Sequence, residues 1–522
     1  MLIGNIVTTG ARVALRSGLI APAGPLTMFR IVREAIRGRA NPATLLAIAA
    51  ARWPDRTAVI DDDGALSYGR LQCRTETLTA ALVYRHGVGP GDPVGILCRN
   101  GRGFMQAMFA AVSVGADVVL LNTEFRTDAL ATALGAHGIQ TVICDDEFVD
   151  RMHAADPAVA VADPATVDID EREPRLTGGP PGRIVLLTSG TTGTPKGVPR
   201  TPSITPALRI GVSFLDRIGL RAGTRIAVPV PMFHALGFGM LMVTVILGGT
   251  VLTRRRFDAE AALAQASLHR ADALTAVPVT LARILALPDE VRARNPLPSL
   301  RVVISAGAPL DASLAQRFMD AYGEVLYNGY GSSEVGVGSL ATPADLRQAP
   351  KTVGRPVAGC PVKIFDENDS PVGPHVIGRV FVGGGLTFDS YTGGGGKHVV
   401  AGMTDTGDMG YFDEAGRLFI VGRQDEMIIS GGENVYPRAV ENALSEHPDL
   451  ADNAVIGVPD EAFGQRIAAF VVPRPGADID EAKLREYLKD RLSRFEQPRE
   501  ITVVAEIPRN PTGKVLRHKL PT

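Results

Sequence analysis

Short apolar runs recur along the first two-thirds of the chain, each followed by a longer stretch of mixed polarity. Residues 93–97, 116–121, 141–144 and 184–187 are such runs, as are 226–230, 274–277 and 301–305. Runs of this length bounded by turn residues read as buried strands. Their alternation with helical stretches predicts an α/β sheet with helices on its faces. Residues 53–60 read as a helix end turning into a strand, and Ser67 reads as the cap of a helix that opens at Tyr68. Residues 235–252 carry no charge and precede Arg254, Arg255 and Arg256, a length marginal for a membrane span. Gly237, Gly239, Gly248 and Gly249 break that stretch into a short helix, a turn and a strand, so it reads as core.

The pattern changes twice further on. From about 354 to 422 it becomes glycine, valine and short alternation, as in Gly378-Arg379-Val380-Phe381-Val382, which predicts a smaller β-rich subdomain. After Arg423, residues 437–447 read as a helix with Pro437 in its first turn and Val440, Ala443 and Leu444 on one face. Residues 455–458 and 468–472 read as strands, and 481–494 as an amphipathic helix through Leu484, Tyr487, Leu488 and Leu492. The expected fold is α/β. A basic amphipathic extension (1–50) precedes a large domain of layered α/β sheets (51–423, with 354–423 as the β-rich subdomain), and a small mobile α+β domain follows (424–522).

Composition narrows the class. At 522 residues, two or more domains are expected. A content of 45% hydrophobic and 21% charged residues fits a soluble globular chain, and a net charge of −2 gives no reason to expect nucleic acid as a partner. Cys73, Cys98, Cys144 and Cys360 lie far apart, which argues against a disulfide framework or zinc site and fits a reducing cytoplasm. The N-terminus stands apart. No acidic residue precedes Glu34, while Arg12, Arg16, Arg30 and Arg33 alternate with Ile20, Leu26, Met28, Phe29 and Ile31. Arg12 and Arg16 interrupt the apolar core that a signal peptide needs. Such a segment packs on the protein's own surface or lies peripherally on an anionic membrane.

The chemistry concentrates in Leu187-Thr188-Ser189-Gly190-Thr191-Thr192-Gly193-Thr194-Pro195-Lys196-Gly197-Val198. Glycines let the backbone approach a ligand and present N–H groups, hydroxyls add donors, and Lys196 adds charge, which together suit a phosphate-binding loop. It is no Walker A sequence, because Gly197 stands where a hydroxyl residue would follow the lysine. A surface turn is the plainer reading. Tyr327-Asn328-Gly329-Tyr330-Gly331-Ser332-Ser333-Glu334 joins a flat aromatic to glycines, hydroxyls and a carboxylate. Tyr330 could stack on an adenine, and Glu334 could hold Mg²⁺, which prefers carboxylate oxygen. Taken singly, the other strings are ordinary. His234 among apolar residues reads as a core side chain, Thr406-Gly407-Asp408 as a β-turn, Gly431-Gly432 as a turn, and Lys514 as a solvated lysine.

In this order, however, the strings resemble the signature of adenylate-forming enzymes: acyl-CoA synthetases, aryl-CoA ligases, luciferases and peptide-synthetase adenylation domains. The resemblance runs from about Pro54 to Leu516. It implies that Thr188, Ser189, Gly190, Thr191, Thr192, Gly193 and Lys196 hold the phosphates of ATP. Nucleotide binding is implied also for Gly307, Ala308 and Pro309, and for Asn328, Gly329, Tyr330, Gly331, Ser332 and Ser333. Glu334 and Ser333 would hold Mg²⁺, Ser333 keeping the hydroxyl of the family's usual threonine. His234 would border the carboxylate pocket, with no proton shuttle implied, while Phe238 would gate the acyl tunnel and Gly331 line the substrate site. Asp408 would take both ribose hydroxyls, Arg423 the ribose or phosphates, and Asp425 the interdomain hinge. Gly431, Gly432 and Glu433 would border the pantetheine arm of CoA; Ala439 stands where many relatives carry glutamate and receives no role. Lys514 would be the C-terminal catalytic lysine. When a carboxylate attacks the α-phosphate two anions approach, and positioned cations lower that barrier. A mobile domain can bring such a lysine in and later remove it.

The implied reaction joins a carboxylic acid to ATP, giving acyl-adenylate and pyrophosphate, and then to CoA, giving a thioester and AMP. The glycine loop at 430–437 looks like that of acyl-CoA ligases, and no carrier domain follows Lys514, so a free-standing ligase is expected. The N-terminus leans toward a medium- or long-chain fatty acid. An aryl-CoA ligase and a ligase that loads a carrier protein remain open, as do a non-catalytic ligand-binding relative and a membrane-embedded transporter. Lys196, Glu334, Asp408, Arg423 and Lys514 together speak against the non-catalytic relative. A homodimer is allowed for.

Overall fold

The apolar runs pair side by side into two large, mainly parallel sheets. The computed structural model describes residues 10, 12–19, 24–38, 41–164, 182–188, 196–200, 204–384, 396–430, 433–460, 464–510 and 513–521. Among these, one sheet has nine strands, in the order Arg355–Pro356, Gly336–Ala341, Leu326–Ser332, Val302–Ser305, Ala273–Ala276, Arg225–Ala227, Thr250–Leu252, Thr57–Asp61 and Gly64–Ser67. The six from Leu326–Ser332 to Thr57–Asp61 are parallel and the outer ones antiparallel. The other sheet runs Ala160–Ala162, Thr141–Cys144, Pro93–Leu97, Asp117–Leu120, Ile184–Thr188 and Lys196–Arg200, with only the last antiparallel. Parallel neighbours need crossovers, which explains the helices between the apolar runs. The helix Arg102–Val114 is buried from Phe104 to Val114 in the core the two sheets share.

Ser67 caps the helix Tyr68–Tyr84, its Oγ accepting the Arg70 N–H at 3.3 Å. Residues 235–252 fold as the helix Ala235–Ile246 and the strand Thr250–Leu252, and no described helix is long and apolar enough to cross a membrane.

Some bounds move. The run 226–230 is strand only over Arg225–Ala227, because the carbonyls of Val228 and Val230 accept from the Asn100 side-chain amide at 3.2 and 2.8 Å. The helix expected over 481–494 ends at Lys489, where Gln497 Nε2 donates to the carbonyls of Leu488 and Leu492. The strands at 455–458 and 468–472 lengthen to Leu450–Asp460 and Gly464–Pro473, since their backbone ladder continues past the apolar centres.

Two smaller sheets complete the fold. Val362–Phe365, Gly378–Gly383, Met403–Phe412 and Val399–Val400 form one antiparallel path, and Leu418–Arg423 also pairs with Met403–Phe412. Beyond it, Glu433–Val435, Ile428–Ser430, Gly464–Pro473 and Leu450–Asp460 form another, joined by Glu500–Val503. The helices Pro437–Ser445 and Glu481–Lys489 cover this last sheet through Val440, Leu444, Leu484 and Leu488.

Candidate active site

Three adjacent parallel strands, Arg225–Ala227, Ala273–Ala276 and Val302–Ser305, end at one edge of the nine-stranded sheet. Open α/β sheets place ligands at such carboxyl ends. His234 lies past the first of them, on a loop held from across the core. Asn100 donates to the carbonyls of Val228 and Val230 and accepts the Met232 N–H at 2.8 Å. The helix Ala235–Ile246 closes on this loop at Gly237, where Pro231 O stands 2.2 Å from the position a Cβ would take; only glycine fits. The His234 ring lies 4.4 Å from that of Phe233, and its Nε2 is buried without a hydrogen-bond partner among the described residues. Burial holds the imidazole pKa down to about 4, so the ring is neutral. Phe238 is half-buried against the core between the sheets. Thr275 Oγ1 and Ser305 Oγ, at or near the ends of the other two strands, are also buried without partners among the described residues.

After Ser305 the chain turns through Gly307 (φ +86°), half-buried Ala308 and exposed Pro309. The strand Leu326–Ser332 then carries Asn328, Gly329, Tyr330, Gly331 and Ser332 past this turn. Asn328 is buried and its amide donates to the Thr352 carbonyl at 3.2 Å. Tyr330 reaches the smaller sheet, where its Oη donates to Asp408 Oδ2 at 2.6 Å and lies 3.1 Å from Thr406 Oγ1. Ser332 Oγ accepts the N–H groups of Glu334 and Val335, shaping the turn that holds half-buried Ser333 and Glu334.

Asp408 and Arg423 face each other on neighbouring strands, with Nη1 3.5 Å from Oδ1. The same guanidinium donates to both Asp425 oxygens at 2.8 and 3.1 Å. Arg423 and Lys397 nitrogens come within 3.2 and 3.3 Å of where a Cβ on Gly407 would stand. Burial raises the Asp408 carboxyl pKa, while Tyr330, Arg423, Arg438 and Lys397 pull it back. For Asp425 burial acts in the same direction, but Arg423 and then Lys514 hold it below the usual range.

The C-terminal sheet meets this cluster along a seam. Arg438, on the helix Pro437–Ser445, faces Asp408, Tyr330, Asp311 and Glu441 electrostatically, and its Nε is buried without a hydrogen-bond partner among the described residues. The Tyr436 ring lies 2.8 Å from where a Cβ on Gly422 would stand. Lys351 pairs with Glu446 at 3.0 Å. Lys514 follows a tight turn in which Asn510 Oδ1 accepts its N–H at 2.8 Å. Gly513 in that turn has φ +81°, and a Cβ there would meet Val279 at 3.2 Å and Val277 at 3.9 Å. A Cβ on Gly307 would meet the same Val277 at 3.6 Å. The lysine turn is therefore docked beside Gly307, at the end of the strand Ala273–Ala276.

Thus His234, Gly307, Tyr330, Asp408, Arg423, Asp425 and Lys514 border one cleft region between the strand ends and the C-terminal sheet. Ser189, Gly190, Thr191, Thr192, Gly193, Gly431 and Gly432 lie outside the described residues, as do the side chains of Thr188, Lys196 and Glu433. The strands Ile184–Thr188 and Lys196–Arg200 pair with Thr188 opposite Lys196, which fixes where the loop between them departs. Asn100, Lys397 and Arg438 belong to no sequence motif. A separate cleft of about 540 Å³ is lined by Arg99, Arg126 and Arg151, but Arg99 is already paired there with Glu124 and Glu147.

Residues 46–392 match the AMP-binding enzyme family, and residues 439–514 match the AMP-binding enzyme C-terminal domain. The chain belongs to the AMP-binding enzymes. A feruloyl-CoA synthase of an Amycolatopsis species is 33% identical over 89% of this chain and 95% of its own length. A fatty acid–[acyl-carrier-protein] ligase of Streptomyces coeruleorubidus is 30% identical over 90% of this chain and 93% of its own. Among solved structures, O-succinylbenzoate coenzyme A synthetase from Bacillus subtilis, in complex with ATP and magnesium ion, superposes with a TM-score of 0.79. It is 27% identical and covers 91% of this chain and 98% of its own. This AMP-binding enzyme is accordingly an ATP- and Mg²⁺-dependent acid–thiol ligase that works through an acyl-adenylate.

Proposed function

We propose that this AMP-binding enzyme is a cytoplasmic acyl-CoA synthetase that joins a medium- or long-chain fatty acid to CoA, releasing AMP and pyrophosphate. The observation that carries the reading is the seat of the lysine turn, with Gly513 on Val277 and Val279 beside Gly307 and the Lys514 charge acting on Asp425. In this arrangement Lys514 neutralises charge as the carboxylate meets the α-phosphate. The residues of 188–196 hold the phosphates. Asp408, oriented by Tyr330 and Arg423, takes the ribose hydroxyls. A neutral His234 borders the acid without capturing it as an ion pair. The wall beyond is apolar: in the helix Ala235–Ile246 the one hydroxyl, Thr244, is buried and spent on the Met240 carbonyl. Such a wall supports a hydrocarbon substrate.

Among the described residues no group of three or more His, Cys, Asp or Glu side chains could hold a metal unaided. One carboxylate beside hydroxyls, Glu334 with Ser333, is the donor set of a magnesium ion that keeps most of its ligands as water and phosphate oxygens. Bound there, Mg²⁺ supplies positive charge to the phosphates. After adenylation, residues 424–522 turn about Asp425, carry Lys514 away and bring Gly431, Gly432 and Glu433 beside the pantetheine arm of CoA.

Pyrophosphate release from ATP, measured with acetate, octanoate, palmitate and ferulate with and without CoA, tests the proposal. Release with octanoate or palmitate, together with CoA-dependent thioester, is the expected result. Release with ferulate alone would make it an aryl-CoA ligase. Acyl-adenylate formation that ignores CoA would make it a carrier-protein loader.

A further inference from the structure

The helix Pro25–Gly38 is attached the wrong way round for a soluble protein. At 100° per residue, Met28, Val32 and Ile36 form a stripe and Phe29 widens it. All four are exposed, at 48, 47, 75 and 65%. The positions turned inward, toward the helix Ala43–Arg52, are instead Thr27, Ile31 and Glu34, each half-buried. A surface helix ordinarily buries its apolar stripe and exposes its polar one. Here the fold spends a threonine and a glutamate on the inner contact and leaves a phenylalanine and an isoleucine outside.

Charge selects the occupant. Arg30 and Arg33 are exposed on one flank of the stripe. Glu34 is the first carboxylate in the sequence, and it is engaged by its neighbour Arg33 at 2.7 Å. Before Asn41 there are six arginines and one acidic residue, in a chain whose net charge is −2, so the basic residues are segregated onto this end. A second copy would bring arginine-rich flanks together, whereas anionic headgroups complement them. An apolar ridge beside a basic flank is the pattern of a helix lying in a membrane interface.

We propose that the helix Pro25–Gly38 docks the enzyme on anionic lipid bilayers, with Met28, Phe29, Val32 and Ile36 in the acyl boundary and Arg30 and Arg33 at the headgroups. These side chains lie outside the catalytic cleft, so docking and catalysis are separable. The inference stands whichever acid the enzyme activates.

The test is cosedimentation of the full-length protein with vesicles of phosphatidylcholine alone and of phosphatidylcholine mixed with phosphatidylglycerol. Binding is expected to the mixed vesicles only, and to weaken as salt is raised. Phe29→Glu combined with Ile36→Glu should abolish it, and Arg30→Gln with Arg33→Gln should weaken it by about thirtyfold. Both variants should keep the wild-type melting temperature and rate of pyrophosphate release. Absence of wild-type binding, or equal binding by the glutamate variant, would overturn the proposal. So would a wild-type dimer in sedimentation velocity that the glutamate variant splits, since the stripe would then belong to a second copy.

Discussion

The two sides of the cleft solve opposite problems. On the seam, charged groups are matched to one another, the buried Arg438 Nε excepted: Tyr330 to Asp408, Asp408 to Arg423, Arg423 to Asp425, with Lys514 acting on Asp425. On the floor, at the ends of three parallel strands, His234 Nε2, Thr275 Oγ1 and Ser305 Oγ are buried with no hydrogen-bond partner among the described residues. An unpaired buried polar atom is costly, and a native fold keeps few of them. The floor atoms are buried at the edge of the core between the sheets, so their cost is carried by the packing around them. The seam is shared with another sheet. Under the proposed function, recognition of the acid falls to neutral groups and the handling of charge to the groups of the seam.

The sharpest way to break this comparison is at Lys514. Lys514→Ala should lower adenylation by about 10² to 10³, while thioester formation from supplied acyl-adenylate stays near wild type. Equal loss of both half-reactions would place the lysine on the fixed side. Asp425→Pro should reverse the pattern, sparing adenylation and slowing thiolation by about tenfold or more; unchanged thiolation in a stopped-flow assay would remove the hinge from this position. On the floor the effects are smaller. Thr275→Val keeps the shape and deletes the orphan hydroxyl, so thermal unfolding should show a gain of about 1 kcal/mol. A loss of stability would mean the hydroxyl is paired in solution. The mildest effect is that of pH. Burial lowers the His234 pKa from 6.5 to about 4, so between these values the unfolded chain binds the extra proton. Its stabilising contribution is complete above about 6.5 and is lost as the pH falls toward 4, a slope that His234→Gln should flatten in melting curves.

Much of this arrangement was legible in the chain. Apolar runs located the parallel strands, Ser67 located a helix start, and the glycines of 235–252 separated core from membrane span. What stayed illegible is long-range. Asn100 trims the strand at Arg225–Ala227 and positions the His234 loop, yet it is a single polar residue after an apolar run. Arg438 and Lys397 meet Asp408 only because three segments converge, and no local periodicity records that. Strand length failed for a related reason, since the ladder from Leu450 to Asp460 depends on backbone groups every residue carries. The orientation of the helix Pro25–Gly38 was equally hidden. Its amphipathic pattern is plain, but which stripe faces in is decided by its neighbour.

Lys351 and Glu446, an exposed contact across the seam, keep 53% and 40% of their side-chain surface in water. A pair so exposed contributes about 0–1 kcal/mol, and dissolved ions reach it freely, with a screening length of about 8 Å at physiological strength. The inner contacts around Asp408 are shielded and respond far less. The rim pair is therefore the part of the seam that the surrounding electrolyte reaches first. Added potassium chloride weakens this rim pair well before it touches the contacts around Asp408.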